Sequence, residues 1–298
     1  MERFTLNNLE SLTGIKADTI RIWERRYGLL TPSRTITRRR WYNGDDLTRL
    51  INISLLYSKG MKISHIARLS DSELIERVSS IGDGDRRPSD QIAAMLVSMT
   101  RLDEASINEI ILKSIISRGI EATYSEVIFP FLHKIGVMWH TGTVNIGTEH
   151  FISGIFRRRI ISAIDSFPGQ SSGKARRFLL FLPEGELHEL GLLFYYYLIV
   201  RAGEEVLYLG QTTPLKAVVQ VARQWHPNFI LTGTMSGIGL TKPAEFLRQL
   251  NRELPGKIIL AAGGLAEKAE KLKISDIKAL RNARDLHQVL ESSGLKIS

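Results

Sequence analysis

The 298 residues include no cysteine, which excludes disulfides, thiolate metal sites and a cysteine nucleophile. Imidazole and carboxylate remain as the strong metal ligands. No apolar run reaches the roughly 18 residues that a membrane span needs; the stretch GLLFYYYLIV over 191–200 stops at Arg201. The polar N-terminus lacks a signal-peptide pattern, so a cytoplasmic protein is expected. Internal repeats and long low-complexity tracts are absent, and no glycine cluster spells the G-x-G-x-x-G fingerprint of dinucleotide sites. Acidic residues are also in deficit. Forty Lys plus Arg against 31 Asp plus Glu give a net charge of +9 and a pI near 9.7, a balance that favours an anionic partner such as DNA.

What is present falls into three segments, divided by the Gly-, Pro- and Ser-rich stretches IGDGDRRPSD (81–90) and FPGQSSGKARR (167–177). The expected domains are 1–80, 84–166 and 175–298. In the first, TLNNLESLTGIKADTIRIWERRYGLL (5–30) reads as a short helix, a turn at Gly14 and a second helix starting near Lys16. Leu6, Leu9, Leu12, Ile15, Ile20 and Trp23 are its spaced apolar positions. This is helix-turn-helix spacing. With the second helix in a major groove, Thr19, Arg21, Arg25, Arg26 and Tyr27 are the candidate base and phosphate contacts. Arg38, Arg39 and Arg40, followed by Trp41 and Tyr42, suit a wing along the phosphate backbone. Residues 16–49 hold nine basic and four acidic side chains, more than half of the chain's excess charge. A charge run is more often only a solvated face, but spacing, wing and charge coincide here. Residues 45–60 and 62–78 are read as two further helices that complete this core.

The runs TIRIWERRYGLLTPSRT and RRWYNGDDLTRL resemble the winged helix-turn-helix of MerR-type transcription regulators over roughly residues 3–75. Thr37 and Arg38 stand where a wing-tip glycine is usual in that family. The resemblance implies a dimeric reader of a palindromic operator.

The middle segment shows apolar residues at helical spacing in four stretches, which predicts a four-helix bundle. Pro130 is expected to kink or break the third helix, and Thr148 to cap the fourth. Trp139 and His140 then end one helix and Glu149 and His150 begin the next, so both pairs face one end of the bundle. FRRRI (156–160) is read as a solvated face.

In the last segment, strands at 177–182, 205–209, 228–232 and 257–261 alternate with helices. The pattern specifies a doubly wound parallel sheet that binds ligands at the C-terminal strand ends. The fold class is thus α plus α/β: winged helix-turn-helix, helical bundle and Rossmann-like domain. PEGELHELG (183–191) lies at one strand end. There an imidazole, His188, can ligate a metal while the carboxylate of Glu186 hydrogen-bonds its other ring nitrogen.

Glu186-Leu187-His188-Glu189-Leu190-Gly191 resembles the Asp-x-His-x-x-Gly motif of cobalamin-binding domains, with Glu in place of Asp. The resemblance implies His188 as lower axial ligand of cobalt, Gly191 as a point of close approach, and Thr232, Thr234, Gly263 and Gly264 as the lining for the cofactor's nucleotide tail. With the W-x9-E-H pattern ahead of it, nearly the whole chain resembles the light-sensing cobalamin-dependent MerR-type repressors of the CarH and LitR group. That likeness implies adenosylcobalamin as cofactor, Trp139 over its upper face, Glu149 and His150 against the adenosyl group, and His140 as the ligand that takes over cobalt after light. It further implies a homo-oligomer, dimer or tetramer, that holds operator DNA in darkness. The expected role is regulatory, not enzymatic. Two rival readings stay open: a corrinoid carrier for methyl transfer or a mutase, and a cobalamin-independent regulator whose C-terminal module serves oligomerisation or protein binding.

Overall fold

A computed structural model describes residues 4–34, 40–79, 87–140, 144–167, 175–235, 240 and 242–292. The chain forms two compact units, 1–155 and 156–298. Among the described residues, no helix is long and apolar enough to cross a membrane.

In the first unit, α1 (Leu6–Thr13) is opened by a capping box: the Asn8 N–H donates to Thr5 Oγ1 and the Thr5 N–H to Asn8 Oδ1. Gly14 ends α1 at φ 74°, and Gly28 ends α2 (Ala17–Tyr27) at φ 62°. These are left-handed caps that glycine adopts without a Cβ penalty. All six apolar positions singled out in these two helices and the turn between them are buried. Strands β1 (Ser33–Arg34) and β2 (Arg40–Trp41) pair antiparallel, and Phe4 pairs with Tyr42 beside them. The wing tip, with Thr37, Arg38 and Arg39, lies outside the described residues.

Helix α3 (Gly44–Ser58) buries Leu47, Leu50, Ile51 and Ile53. The single helix expected over 62–78 is instead two, α4 (Ile63–Ile66) and α5 (Asp71–Ser79). Ser70 causes the break. It forms a capping box with Glu73, whose N–H donates to Ser70 Oγ while Glu73 Oε2 accepts from the Ser70 N–H.

Helices α6 (Pro88–Thr100), α7 (Glu104–Thr123), α8 (Phe129–His140) and α9 (Ile146–Asp165) follow. Gly119, at φ 82° and ψ 166°, bends α7. Pro130 does not break its helix. The chain widens to a π-helix over Tyr124–Ile128 just before it, a form that accommodates a proline ring and its missing N–H. The fourth helix is capped by Asn145, whose Oδ1 accepts from the Thr148 N–H at 3.0 Å, so Thr148 lies inside the first turn and is not the cap. Within this unit Lys134 of α8 donates to the Ser11 and Leu12 carbonyls at the end of α1, at 2.9 and 3.4 Å. Lys59 pairs with buried Asp90 at 3.2 Å. Both contacts fasten the helix-turn-helix region to the helices that follow it.

The second unit is a five-stranded parallel sheet. Its strands are β3 (Arg177–Pro183), β4 (Glu205–Thr213), β5 (Phe229–Thr234), β6 (Ile258–Gly263) and β7 (Ile277–Leu280), in the order β4-β3-β5-β6-β7. Helices α10 (Leu190–Arg201) and α14 (Ala283–Glu291) pack together on one face. The other face carries α11 (Leu215–Trp225), α12 (Pro243–Glu253) and α13 (Ala266–Leu272). Leu179, Phe181, Ile230 and Ile259 meet Val218, Leu247 and Leu250 there as a continuous apolar core. This is a doubly wound sheet whose strand order reverses between β3 and β5, the crevice at which such sheets bind ligands. The sequence pattern predicted four of the five strands. It missed β7, an edge strand of four residues with Lys278 exposed.

Candidate functional site

The chain leaves β3 and, before α10 begins, crosses the switch point as the loop that carries Glu186, His188 and Glu189. Glu186 is 1% exposed and the His188 side chain 43%. Oε1 of Glu186 accepts from the His188 N–H at 2.9 Å and lies 2.6 Å from ring Nδ1, while Oε2 accepts from the Met235 N–H at the end of β5, at 2.8 Å. Burial alone raises the pKa of the Glu186 carboxyl; the bonds from His188 and from Met235 outweigh it and leave the group below its ordinary value. The ring is therefore oriented through Nδ1, as the ring of a metal-ligating histidine is by a carboxylate partner. The pairing expected between Glu186 and His188 is present.

Glu189 was not expected to matter. It is buried, and its two oxygens bind Arg157 Nε at 2.5 Å and the Tyr208 hydroxyl at 2.6 Å. Hydrogen bonding to Glu189 raises the Arg157 pKa; burial, and then Glu189, raises that of Tyr208. FRRRI is thus more than a solvated face, since Arg157 anchors the start of α10. Only the fold reveals this, because 32 residues separate the partners.

The remaining strand ends complete the crevice. Thr232 is fully buried in β5, and its Oγ1 has no hydrogen-bond partner among the described residues. Gly233 lies so close to β6 that a Cβ there would meet the Ala262 carbonyl at 3.2 Å. Gly263, at φ 56°, leaves no room for a side chain, since a Cβ would fall 2.3 Å from the Thr234 carbonyl. The Gly264 N–H donates to that same carbonyl at 2.7 Å. Gly191 is different: a Cβ there meets nothing within 4 Å, so neither packing nor backbone strain inside the protein calls for glycine.

In the first unit, Trp139 is 40% exposed near the end of α8. His140 closes that helix, and its side chain lies outside the described residues. The Val144 N–H returns to the Met138 carbonyl, so α9 starts beside the end of α8. Glu149 and His150 stand in its first turns, 2.9 Å apart from Oε2 to Nδ1, with the imidazole mostly in solvent. Both pairs occupy one end of these helices.

On α2, Arg21, Arg25 and Arg26 are exposed, and Thr19 and Tyr27 half-buried. Arg21 is paired with Asp18 at 2.9 Å, and the Arg26 guanidinium lies 5.4 Å from the Tyr27 ring. Arg40 Nε sits 3.5 Å from Glu24. The expectation of a phosphate contact from Tyr42 is corrected. Its side chain is fully buried and its hydroxyl donates to Glu24, which makes it part of the core that holds the wing.

Residues 4–73 match the MerR HTH family regulatory protein description, and residues 91–161 match the B12 binding domain description. The chain is similar to the HTH-type transcriptional repressor CarH of Myxococcus xanthus, 28% identical over 90% of this chain and 91% of that one. It is also similar to the HTH-type transcriptional repressor CarA of the same organism, 25% identical over 84% and 81%. Among solved structures, the Methanosarcina barkeri monomethylamine corrinoid protein superposes with a TM-score of 0.51 at 13% identity, covering 65% of this chain and 94% of that one. That likeness is one of fold.

Proposed function

We propose, for a chain that joins a MerR-type helix-turn-helix region to a B12-binding domain, that it is an adenosylcobalamin-dependent, light-responsive repressor. In this reading residues 1–80 bind operator DNA, 84–166 cap the cofactor and 175–298 hold it. The observation that carries the reading is His188, held through Nδ1 by a buried carboxylate at the switch point of the sheet. Among the described residues no cluster of three or more His, Asp or Glu could hold a bare metal ion. One imidazole is too little for a bare ion, yet it suffices as axial ligand to a cobalt already held by a ring. Two further features fit a corrinoid: the orphaned buried hydroxyl of Thr232, and the space at Gly191 that a side chain would fill.

When bound, adenosylcobalamin supplies a cobalt–carbon bond that green or blue light breaks. His188 would hold cobalt from below, with Glu186 raising the basicity of its ring. Thr232, Thr234, Gly263 and Gly264 would line the nucleotide tail. Trp139 would shield the upper face from water, while Glu149 and His150 hydrogen-bond the adenosyl hydroxyls. His140 would be a second imidazole available to hold cobalt once the adenosyl group is lost. Such differential contact biases the helices between two arrangements, and the dark one assembles a homo-oligomer whose linked reading heads hold DNA by avidity. The light response rests on the likeness of W-x9-E-H to the light-sensing repressors.

The experiment is gel filtration of the full chain with adenosylcobalamin in darkness, with absorption spectra before and after illumination. Co-elution and a light-dependent spectral change are expected. A chain that retains no cofactor overturns the cobalamin reading, and a retained cofactor without a change in elution volume on illumination overturns the switch.

A further inference from the structure

The loop that carries His188 is gripped from a strand to which the sequence motif gives no role. The Gly185 N–H donates to Thr212 Oγ1 at 2.9 Å, the Thr212 N–H to the Glu186 carbonyl at 3.2 Å, and Gln211 Nε2 to the Leu187 carbonyl at 2.6 Å. Three consecutive loop residues, ending beside His188, are thus tied to two consecutive residues at the end of β4.

The backbone is contorted to make this possible. Gly210 has φ 79° and Thr212 φ 46°, and the pairing of β3 with β4 shifts register between Leu180 and Phe181 and again before Pro183. A β-branched residue in the left-handed region is a genuine outlier, kept only where the surroundings over-determine it. Bulges of this kind re-aim side chains beside functional sites. Glycine would adopt this φ without strain, but it has no hydroxyl for the Gly185 N–H.

We propose that Thr212 and Gln211 are positioning residues that hold the His188 loop in its ligating conformation, with Thr212 retaining a strained backbone because its Oγ1 is needed there. The proposal rests on His188 being the cobalt ligand, and its test separates the two claims. Neither residue touches the cofactor in this scheme; both act through the loop.

The full chain, with and without ¹⁵N-histidine, is loaded anaerobically with cob(II)alamin and its EPR spectrum recorded. A ¹⁴N ligand splits the cobalt lines into triplets and a ¹⁵N into doublets, so labelling distinguishes a histidine ligand from the cofactor's own base, and loss of the doublet in His188→Ala identifies His188 among the seven histidines. In the unsubstituted chain triplets should become doublets. Thr212→Gly should keep or raise the urea midpoint, because strain is relieved, yet lower the affinity of histidine for cobalt by at least about tenfold, the cost usual for a lost outer-shell partner. Thr212→Ser should restore the doublet, and Gln211→Leu, at a half-buried position of the strand, should lose part of it. If the unsubstituted chain shows no label-dependent splitting, His188 is not the cobalt ligand and the reading on which the proposal rests fails. If it does but Thr212→Gly and Gln211→Leu both keep the full doublet, the positioning role fails. A Thr212→Gly chain that does not fold also overturns the strain argument, and Gln211→Leu then decides the positioning role.

Discussion

Replacing Glu186 by glutamine tests the ligand loop without changing its shape. The carboxylate uses one oxygen for two donors on His188 and the other for the Met235 N–H. Glutamine offers one acceptor oxygen and one amide donor. Whichever way the amide turns, an N–H faces an N–H on one side of a residue that is 1% exposed. A buried donor left without an acceptor costs about 1–3 kcal/mol, so Glu186→Gln should lower the unfolding free energy of the apo-protein by about 1–3 kcal/mol near neutral pH. Urea denaturation with an unchanged m-value measures it. The dependence on pH provides a second check. The folded pKa of Glu186 is depressed, so its contribution is fully present above the unfolded value of about 4.3 and is lost as pH falls through the folded value. The gap between the two proteins should hold steady above about pH 5 and narrow below about pH 4, where a protonated Glu resembles Gln. A gap of zero at neutral pH, or one that ignores pH, refutes the reasoning.

Three further outcomes follow from the same geometry. Gly191→Ala should leave apo-protein stability within about 0.5 kcal/mol, because a Cβ there meets nothing within 4 Å, and Gly191→Phe, its folding checked by far-UV circular dichroism, should abolish cobalamin retention on gel filtration; unimpaired retention by the folded variant would place the corrin elsewhere. Gly263→Ala forces a Cβ against the Thr234 carbonyl at positive φ and should cost at least about 1–3 kcal/mol in thermal or urea unfolding; a neutral result would mean that β6 ends differently. Arg25→Ala and Arg26→Ala, at the exposed end of α2, should each flatten the log–log salt dependence of binding to random-sequence duplex DNA by about one unit. An unchanged slope in fluorescence anisotropy would remove them from the phosphate-contacting set.

Much of the local structure was legible because it is governed by short-range chemistry. Helices α1 and α2 follow from apolar spacing and from glycine caps at 14 and 28, and four of the parallel strands from apolar runs between helices. Where the reading slipped, some signal was present but outweighed. Ser70 and Glu73 spell a capping box inside what looked like one helix, and Asn145 precedes Thr148 at the start of α9. Elsewhere no short-range signal exists. Tyr42 follows an arginine run and so looked like a phosphate contact, yet its hydroxyl is satisfied by Glu24, 18 residues away, inside the core.

Residue type and spacing alone determined the chemistry available to this protein: no thiols, a basic helix-turn-helix, a doubly wound sheet, and an imidazole two residues beyond a carboxylate at a strand end. Tertiary structure alone decided which atoms meet. That Glu186 is buried and reaches Met235, that Glu189 is divided between Arg157 and Tyr208, and that β4 bends to grip the ligand loop are pairings across 19 to 49 residues of chain. Local propensity acts over a few residues, whereas these contacts form only once the strand order has closed the loops between them.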